Sequence, residues 1–376
     1  MARRKNDGFQ DEKKDIEILD KDKLQEILFG KKLKYSILDN DVEFFSTGSL
    51  VLDSLLGQGW SRGRIHLLKG RESVSKSRLM ASVCFIETRF FNNTVLVIDY
   101  EGTWTESWLK SIFVDTRKVI IVRPEIAEES FDIVERAIET GKISSIIIDS
   151  IASMTTREEY EKSHEESTQA SLARQLSKFC RKAVASLNNV RIQKIENNNI
   201  ILPTIFLVNQ VRTNLHARFN NETLPGGQAQ KNTATTILDL FRTSNIENKD
   251  GDVVGFYIHA RTDKNKLGVP FRTAQFGLIS YEKGYLGHPR HAFYLGNEVF
   301  TLGLNFGLIK QSGSWYEILE TGQKFQGGEE VIRSIVNDTN LSWFLIDKIK
   351  SKIKEEFNND IEFNHHIFLK SLGIEK

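Results

Sequence analysis

At 376 residues the chain is long enough for one large domain with appendages, or for two domains. Hydrophobic residues make up 40% and charged residues 27%, an ordinary globular balance, and no apolar run approaches the ~20 residues that cross a bilayer. With 51 basic and 50 acidic residues the formal net charge is +1, so nucleic-acid binding cannot rest on overall charge and needs locally clustered basic groups.

In chain order, Met1 to Lys5 is basic but no apolar segment follows, so no secretory signal is expected. The stretch to about Lys34 mixes both signs of charge around Ile16, Ile18, Leu19, Leu24, Ile27 and Leu28, the pattern of a mobile tip and an amphipathic docking helix. A composition shift follows at Phe44-Phe45-Ser46-Thr47-Gly48. Strands are expected at Ile65–Leu68, Val95–Ile98, Val119–Val122, Ile146–Ile148 and Thr204–Val208. These uniformly apolar, β-branched runs suit a parallel sheet buried on both faces.

Between them lie helical patterns, the clearest from Gln169 to about Leu187, with Leu172, Leu176, Phe179, Cys180, Ala183 and Leu187 at helical spacing. Such alternation predicts an α/β core. Asn188 to Asn199 is polar and reads as a surface insertion. From about His288 the elements shorten, ending in a helix around Trp343–Phe357 with Lys348, Lys350, Lys352 and Lys354. That lysine face suits duplex DNA or a solvated helix surface. Cys84 and Cys180 fit no metal-ligand or redox spacing, so two buried thiols in a reducing cytoplasm are expected.

Gly70-Arg71-Glu72-Ser73-Val74-Ser75-Lys76-Ser77 follows a strand and opens a helix. It matches G-x-x-x-x-G-K-[ST] except that Ser75 replaces the second glycine. A phosphate-binding loop turns its N–H groups inward with the positive helix end behind them. Lys76 would reach the β- and γ-phosphates, and Ser77 would hold Mg²⁺. A polar turn between strand and helix is the plain alternative.

Ile146-Ile147-Ile148-Asp149 ends a strand in an acid, placed to hold the Mg²⁺ shell through water or simply to cap a turn. Val97-Ile98-Asp99-Tyr100-Glu101 does the same, with Glu101 placed as general base and Asp99 equally able to be structural. Asn209-Gln210 ends a third strand with amides that can bond a γ-phosphate.

At this point the chain resembles the RecA family over nearly its whole length. The match runs through Ser46-Thr47-Gly48-Ser49-Leu50 with Leu52-Asp53, Gly63-Arg64-Ile65, the phosphate loop, Asp99-Tyr100-Glu101, Ile148-Asp149-Ser150 and Asn209-Gln210-Val211-Arg212. It continues through Phe219, Glu222, Gly226-Gly227, Lys264-Asn265-Lys266, Gly307-Leu308-Ile309 and Gly313-Ser314-Trp315-Tyr316. The resemblance implies an α/β, RecA-type P-loop core with a mainly parallel sheet over 46–286. It also implies an N-terminal oligomerisation segment over 1–45 and a small C-terminal α/β domain over 287–376.

Carried over by position, the loop from Gly70 through Arg78 binds ATP, with Ser77 and Asp149 as Mg²⁺ ligands. Glu101 is implied as catalytic base, Gln210 as γ-phosphate sensor and Trp108 as the ring stacked on adenine. Lys264 and Lys266 resemble the pair reaching the neighbouring subunit's γ-phosphate. Two DNA loops are implied, Thr155 to Ser167 and Arg212 to Gly227, with Ser177, Arg181, Arg212, Gly226, Gly227 and Gln228 on single-strand phosphates and Leu215 wedging between bases.

The implied function is a homo-oligomeric helical filament on single-stranded DNA that pairs it with double-stranded DNA, driven by DNA-dependent ATP hydrolysis. A loading mediator and a single-strand-binding protein are expected partners, a membrane is not, and the location is cytoplasmic (the host's, for a phage protein). Ser75 resembles phage UvsX-type recombinases, which also lack that glycine. Thr213 replaces a large apolar residue, Asn232 replaces an aromatic, and the acidic tail of bacterial members is not expected, since the sequence ends Gly373-Ile374-Glu375-Lys376. Two rival readings are an ATP-binding mediator with little hydrolysis, and another RecA-fold motor such as a hexameric helicase or a KaiC-like ATPase.

Overall fold

The computed structural model describes residues 42–162, 170–213 and 222–371. The expected N-terminal docking helix, Leu215, residues 163–167 of the first DNA loop and 214–221 of the second lie outside them.

A short antiparallel pair, β1 (Phe44–Phe45) and β2 (Trp60–Ser61), flanks α1 (Leu50–Leu56). The chain then alternates: β3 (Ile65–Gly70), α2 (Lys76–Arg89), β4 (Thr94–Asp99), α3 (Glu106–Ser111), β5 (Val119–Val122), α4 (Ala127–Glu139) and β6 (Ile143–Asp149). Next come α5 (Arg157–Glu161), α6 (Ser171–Glu196), β7 (Thr204–Gln210), the two-residue strands β8 (Arg212–Thr213) and β9 (Glu222–Thr223), and α7 (Ala229–Thr233). Three longer strands follow, β10 (Thr236–Glu247), β11 (Val253–Asn265) and β12 (Thr273–Ile279).

One 8-stranded sheet has the order β12-β11-β10-β3-β7-β6-β4-β5. From β10 to β5 all pairs are parallel, and β11 and β12 add antiparallel pairs at one end. Period-two alternation splits the core into two layers. Val95, Val97, Ile147, Phe206 and Val208 face α2, where Met80, Val83 and Cys84 meet them. Leu96, Ile98, Ile146, Ile148, Ile205 and Leu207 face α4 and α6 through Phe131, Val134, Phe179 and Ala183. Phe131 and Phe179 stack at 4.5 Å between ring centroids. Truncating either to alanine is expected to cost about 3–5 kcal/mol.

Two sequence expectations need correction. β5 is not buried on both faces: it is the sheet's edge, and Ile120 is 48% exposed. Asn188 to Asn199 is not an insertion, because α6 runs on to Glu196. The buried Val190 and an Arg191 bond to the Gly63 carbonyl (3.1 Å) anchor that extension, outweighing the weak helix propensity of its asparagines. Both cysteines are free and buried, as expected.

The C-terminal elements are α8 (Leu295–Asn305), an antiparallel sheet of β13 (Ile309–Ser312), β14 (Trp315–Ile318) and β15 (Gln323–Gln326), then α9 (Gly328–Asn337) and α10 (Thr339–Ser371). Leu341, Leu345, Ile349 and Ile353 form the buried stripe of α10, packed on Val299, Val331 and Leu50. On its exposed side Lys348 pairs with Glu320 and Lys352 with Glu355. Among the described residues no helix is long and apolar enough to cross a membrane.

The Ser46-to-Asp53 motif is a local brace. Asp53 accepts from Ser46 Oγ (2.6 Å) and from Thr47 N (2.7 Å), while the N-cap Ser49 donates its hydroxyl to Glu298 on α8 at 2.9 Å. Both acids are buried, so desolvation pushes Asp53 up to about 6 and Glu298 up to about 8.

Candidate nucleotide site and DNA loop

The phosphate loop begins where β3 ends at Gly70. A Cβ there would lie 2.5 Å from the Leu240 carbonyl of the neighbouring strand, so glycine is required by that close approach. Ser73 (φ 59°) and Ser75 (φ 61°, ψ 30°) are both left-handed. Ser75 therefore adopts the conformation for which the motif uses glycine, at a cost of roughly 1–2 kcal/mol. It is the N-cap of α2 and its side chain makes no capping bond, so it leaves the first-turn N–H groups of the helix to an anion.

Lys76 is buried, and its ammonium lies against the loop, donating to the carbonyls of Gly70 (3.1 Å) and Arg71 (2.7 Å). Burial lowers its pKa, while Asp149, Glu101 and Glu72 oppose that shift. Val74 is buried beneath the loop, whereas Arg71 and Glu72 are exposed. Arg78 points elsewhere: its guanidinium donates to the His291 carbonyl at 2.5 Å and lies over Phe293.

The adjacent strand ends bring three further groups. Asp99 and Asp149 are register partners on β4 and β6. Asp99 is structural, accepting from the amides of Thr103 (3.3 Å) and Trp104 (3.2 Å) and from Arg123 Nε (3.0 Å). Asp149 is 2% exposed, and burial raises its pKa against the bonds it accepts from Ser77 and Trp104. Glu101 is exposed and accepts from Ser150 Oγ (2.6 Å) and Gln210 Nε2 (2.8 Å).

These groups enclose one cavity of about 230 Å³, lined by loop residues 72 to 77 and by Glu101, Asp149 and Gln210. Helix-end amides with a lysine suit phosphates, and a hydroxyl beside a carboxylate suits a hard divalent cation. The residues present therefore fit a nucleotide with its metal. Trp108 is half-buried outside this cavity, edge-on to Trp104.

From Gln210 the chain runs directly into the second loop. Asn209 is buried and donates from Nδ2 to Gln230 Oε1 (2.8 Å) and to the Pro225 carbonyl (2.9 Å). Gln230 in turn donates to the Gly227 carbonyl at 3.1 Å. Gly226 has φ +80°, and a Cβ there would meet Leu176 of α6 at 2.6 Å. The double-glycine turn thus lies close against the helix carrying Ser177 and Arg181, which are hydrogen-bonded at 2.8 Å. Arg212 is exposed and donates to the Ala152 carbonyl at 3.1 Å, and Gln228 is exposed beside the turn.

Lys264 Nζ donates to the carbonyls of Lys231 (2.8 Å) and Asn232 (2.9 Å), closing the end of α7, while Lys266 is exposed. Neither lines the cavity of its own chain. Trp104 and Gln230 belong to the site but carry no motif in the sequence. Each acts through a bond to a residue distant in sequence, and no local pattern signals such a bond.

The family model described as the RecA N-terminal domain matches residues 22–286. A protein named Protein RecA from Ureaplasma parvum is 29% identical over 355 residues, covering 93% of this chain and 98% of its own length. Protein RecA from Rickettsia bellii is 32% identical over 302 residues (79% and 80%), and that from Rickettsia prowazekii 33% over 278 (73% and 75%).

Proposed function

The chain belongs to the RecA family, and on that premise we propose that it is an ATP-dependent recombinase that polymerises on single-stranded DNA and exchanges it with a homologous duplex. The observation that carries this reading is the continuity from nucleotide cavity to DNA loop. Gln210 lines the cavity, and its neighbour Asn209 holds the Gly226–Gly227 turn through Pro225 and Gln230.

In this reading the loop amides and Lys76 bind the phosphates of ATP. Ser77 and Asp149 would hold Mg²⁺, which would supply positive charge beside the phosphates. Glu101 takes the proton of the attacking water, and Gln210, bonded to that carboxylate, reports the γ-phosphate. Trp108 supplies the adenine-stacking ring.

Lys264 and Lys266 serve the neighbouring protomer's site through head-to-tail contacts, and contacts of that kind that do not close would produce the helical filament. Ser177, Arg181, Arg212, Gly226, Gly227 and Gln228 hold backbone phosphates without reading sequence. Residues 1–45 mediate assembly, 46–286 form the ATPase core and 287–376 a small domain. A mediator and a single-strand-binding protein in the cytoplasm complete the proposed setting.

The mediator reading draws on Ser75 and Asn232. A serine in the glycine's own conformation leaves the loop amides in place, and the bond Asn232 makes with Lys264 is through its backbone carbonyl. The test is single-strand binding with ATP or a non-hydrolysable analogue, with electron microscopy of the product. Open helical filaments are expected. Closed rings, or no nucleotide-dependent binding, would contradict the proposal.

A further inference from the structure

Trp104 is 1% exposed, and its indole can donate a hydrogen bond but not accept one. The Nε1–H donates to Asp149 Oδ2 at 3.0 Å. The residue is clamped on both sides of its backbone. Its amide is held by Asp99, and its carbonyl accepts from Arg123 Nη2 at 2.7 Å. Arg123 is itself bonded to Asp99, and Thr105 starts α3 by accepting from Trp108 N. The ring meets Trp108 edge-on, with centroids 5.3 Å apart and planes at 76°.

An aspartate carboxylate has a broad terminal torsion and needs external bonds to fix its orientation. Asp149 receives two, from the Ser77 hydroxyl and from the Trp104 indole. A cation at Ser77 would use a lone pair of the hydroxyl and leave its proton to Asp149. The indole's bond would be kept as well, because Trp104 is enclosed by protein.

We infer that Trp104 is a positioning residue for the cation site, its indole N–H fixing the Asp149 carboxylate and its ring linking that carboxylate to Trp108. The inference rests on the reading of Lys76, Ser77 and Asp149 as a nucleotide–metal site. It adds a route by which occupation of the base side, at Trp108, is felt at the metal acid. Partners of this kind behind a metal-binding group typically contribute about 10–100-fold in metal affinity.

Trp104→Phe in the full-length chain keeps an aromatic ring and removes the donor. The readout is the Mg²⁺ concentration that half-saturates binding of a fluorescent non-hydrolysable ATP analogue, with the analogue's affinity in EDTA as reference. The expected result is a midpoint raised about 10–100-fold with the metal-free affinity little changed. A merely structural tryptophan would lower the melting temperature and leave the midpoint in place, and that result overturns the inference.

If the variant does not fold, the unmutated chain supplies the second measurement. It has five tryptophans, and the indole N–H signal of Trp104 can be assigned by replacing the other four in turn. That signal is expected to shift when Mg²⁺ is added to the nucleotide-bound protein, and an unmoved signal overturns the inference. Wild-type protein that binds no analogue at all would remove the nucleotide-site reading itself.

Discussion

Gln210 Nε2 donates to Glu101 Oε1 across 2.8 Å, joining the end of β7 to the loop after β4. One amide thus touches the proposed base and sits one residue from Asn209, which anchors the double-glycine turn. Gln210→Ala should leave nucleotide binding within a few-fold but collapse the effect of nucleotide on DNA affinity. The wild-type ratio of DNA affinities with and without ATP analogue is expected in the roughly 5–150-fold range of coupled sites, and near one in the variant. Fluorescence anisotropy of a labelled oligonucleotide measures both.

Ser75 holds a left-handed backbone at the N-cap of α2. Ser75→Gly relieves about 1 kcal/mol of conformational strain, partly offset by the greater unfolded-state entropy of glycine. A net gain of about 0.5 kcal/mol is expected in urea unfolding. A loss of stability would show that the Ser75 side chain contributes more than the geometry indicates.

Glu298 accepts from Ser49 and Val51 and faces Asp53, which raises its pKa further after the larger effect of desolvation. Its folded carboxyl keeps a proton to about pH 8, whereas the unfolded one loses it near the ordinary value of 4.5. Folding takes up a proton within that window, so stability is full below it and falls as pH rises through it. Asp53, raised to about 6, adds a shallower slope of the same sign. Glu298→Gln should match wild type near pH 4.5 and exceed it by about 1–3 kcal/mol at pH 8.5, as read by denaturant midpoints. Equal pH slopes for the two proteins would contradict the assignment.

Arg181 and Arg212 are exposed on α6 and at the start of the second loop. As phosphate contacts, each replaced by alanine should weaken single-strand binding to a similar degree for all sequences. Each should also make the slope of log affinity against log salt shallower by about 0.7. A sequence-dependent loss would point instead to base contacts.

The five expected strands were legible because strands buried in the middle of a parallel sheet are continuous apolar runs. Ile146 to Ile148 and Thr204 to Val208 show this best. Val119 to Val122 has the same composition yet forms the edge, since composition does not encode strand order. The length of α6 was hidden because its asparagines suggest a loop, while the burial of Val190 and the Arg191–Gly63 bond are tertiary effects. At the site, Lys76, Ser77, Glu101, Asp149 and Gln210 could be placed from motifs at strand ends, and the fold brings all five to one cavity. The Trp104–Asp149 and Asn209–Gln230 bonds span 45 and 21 residues and leave no periodic trace.

The most direct test of the central claim is ATP turnover by the purified chain, with and without single-stranded DNA, beside Glu101→Gln. Turnover is expected to rise with DNA. In the variant it is expected to fall about 10²–10⁴-fold with nucleotide still bound, the usual loss for a general base. Turnover indifferent to DNA, or a Glu101→Gln protein as active as wild type, would contradict it.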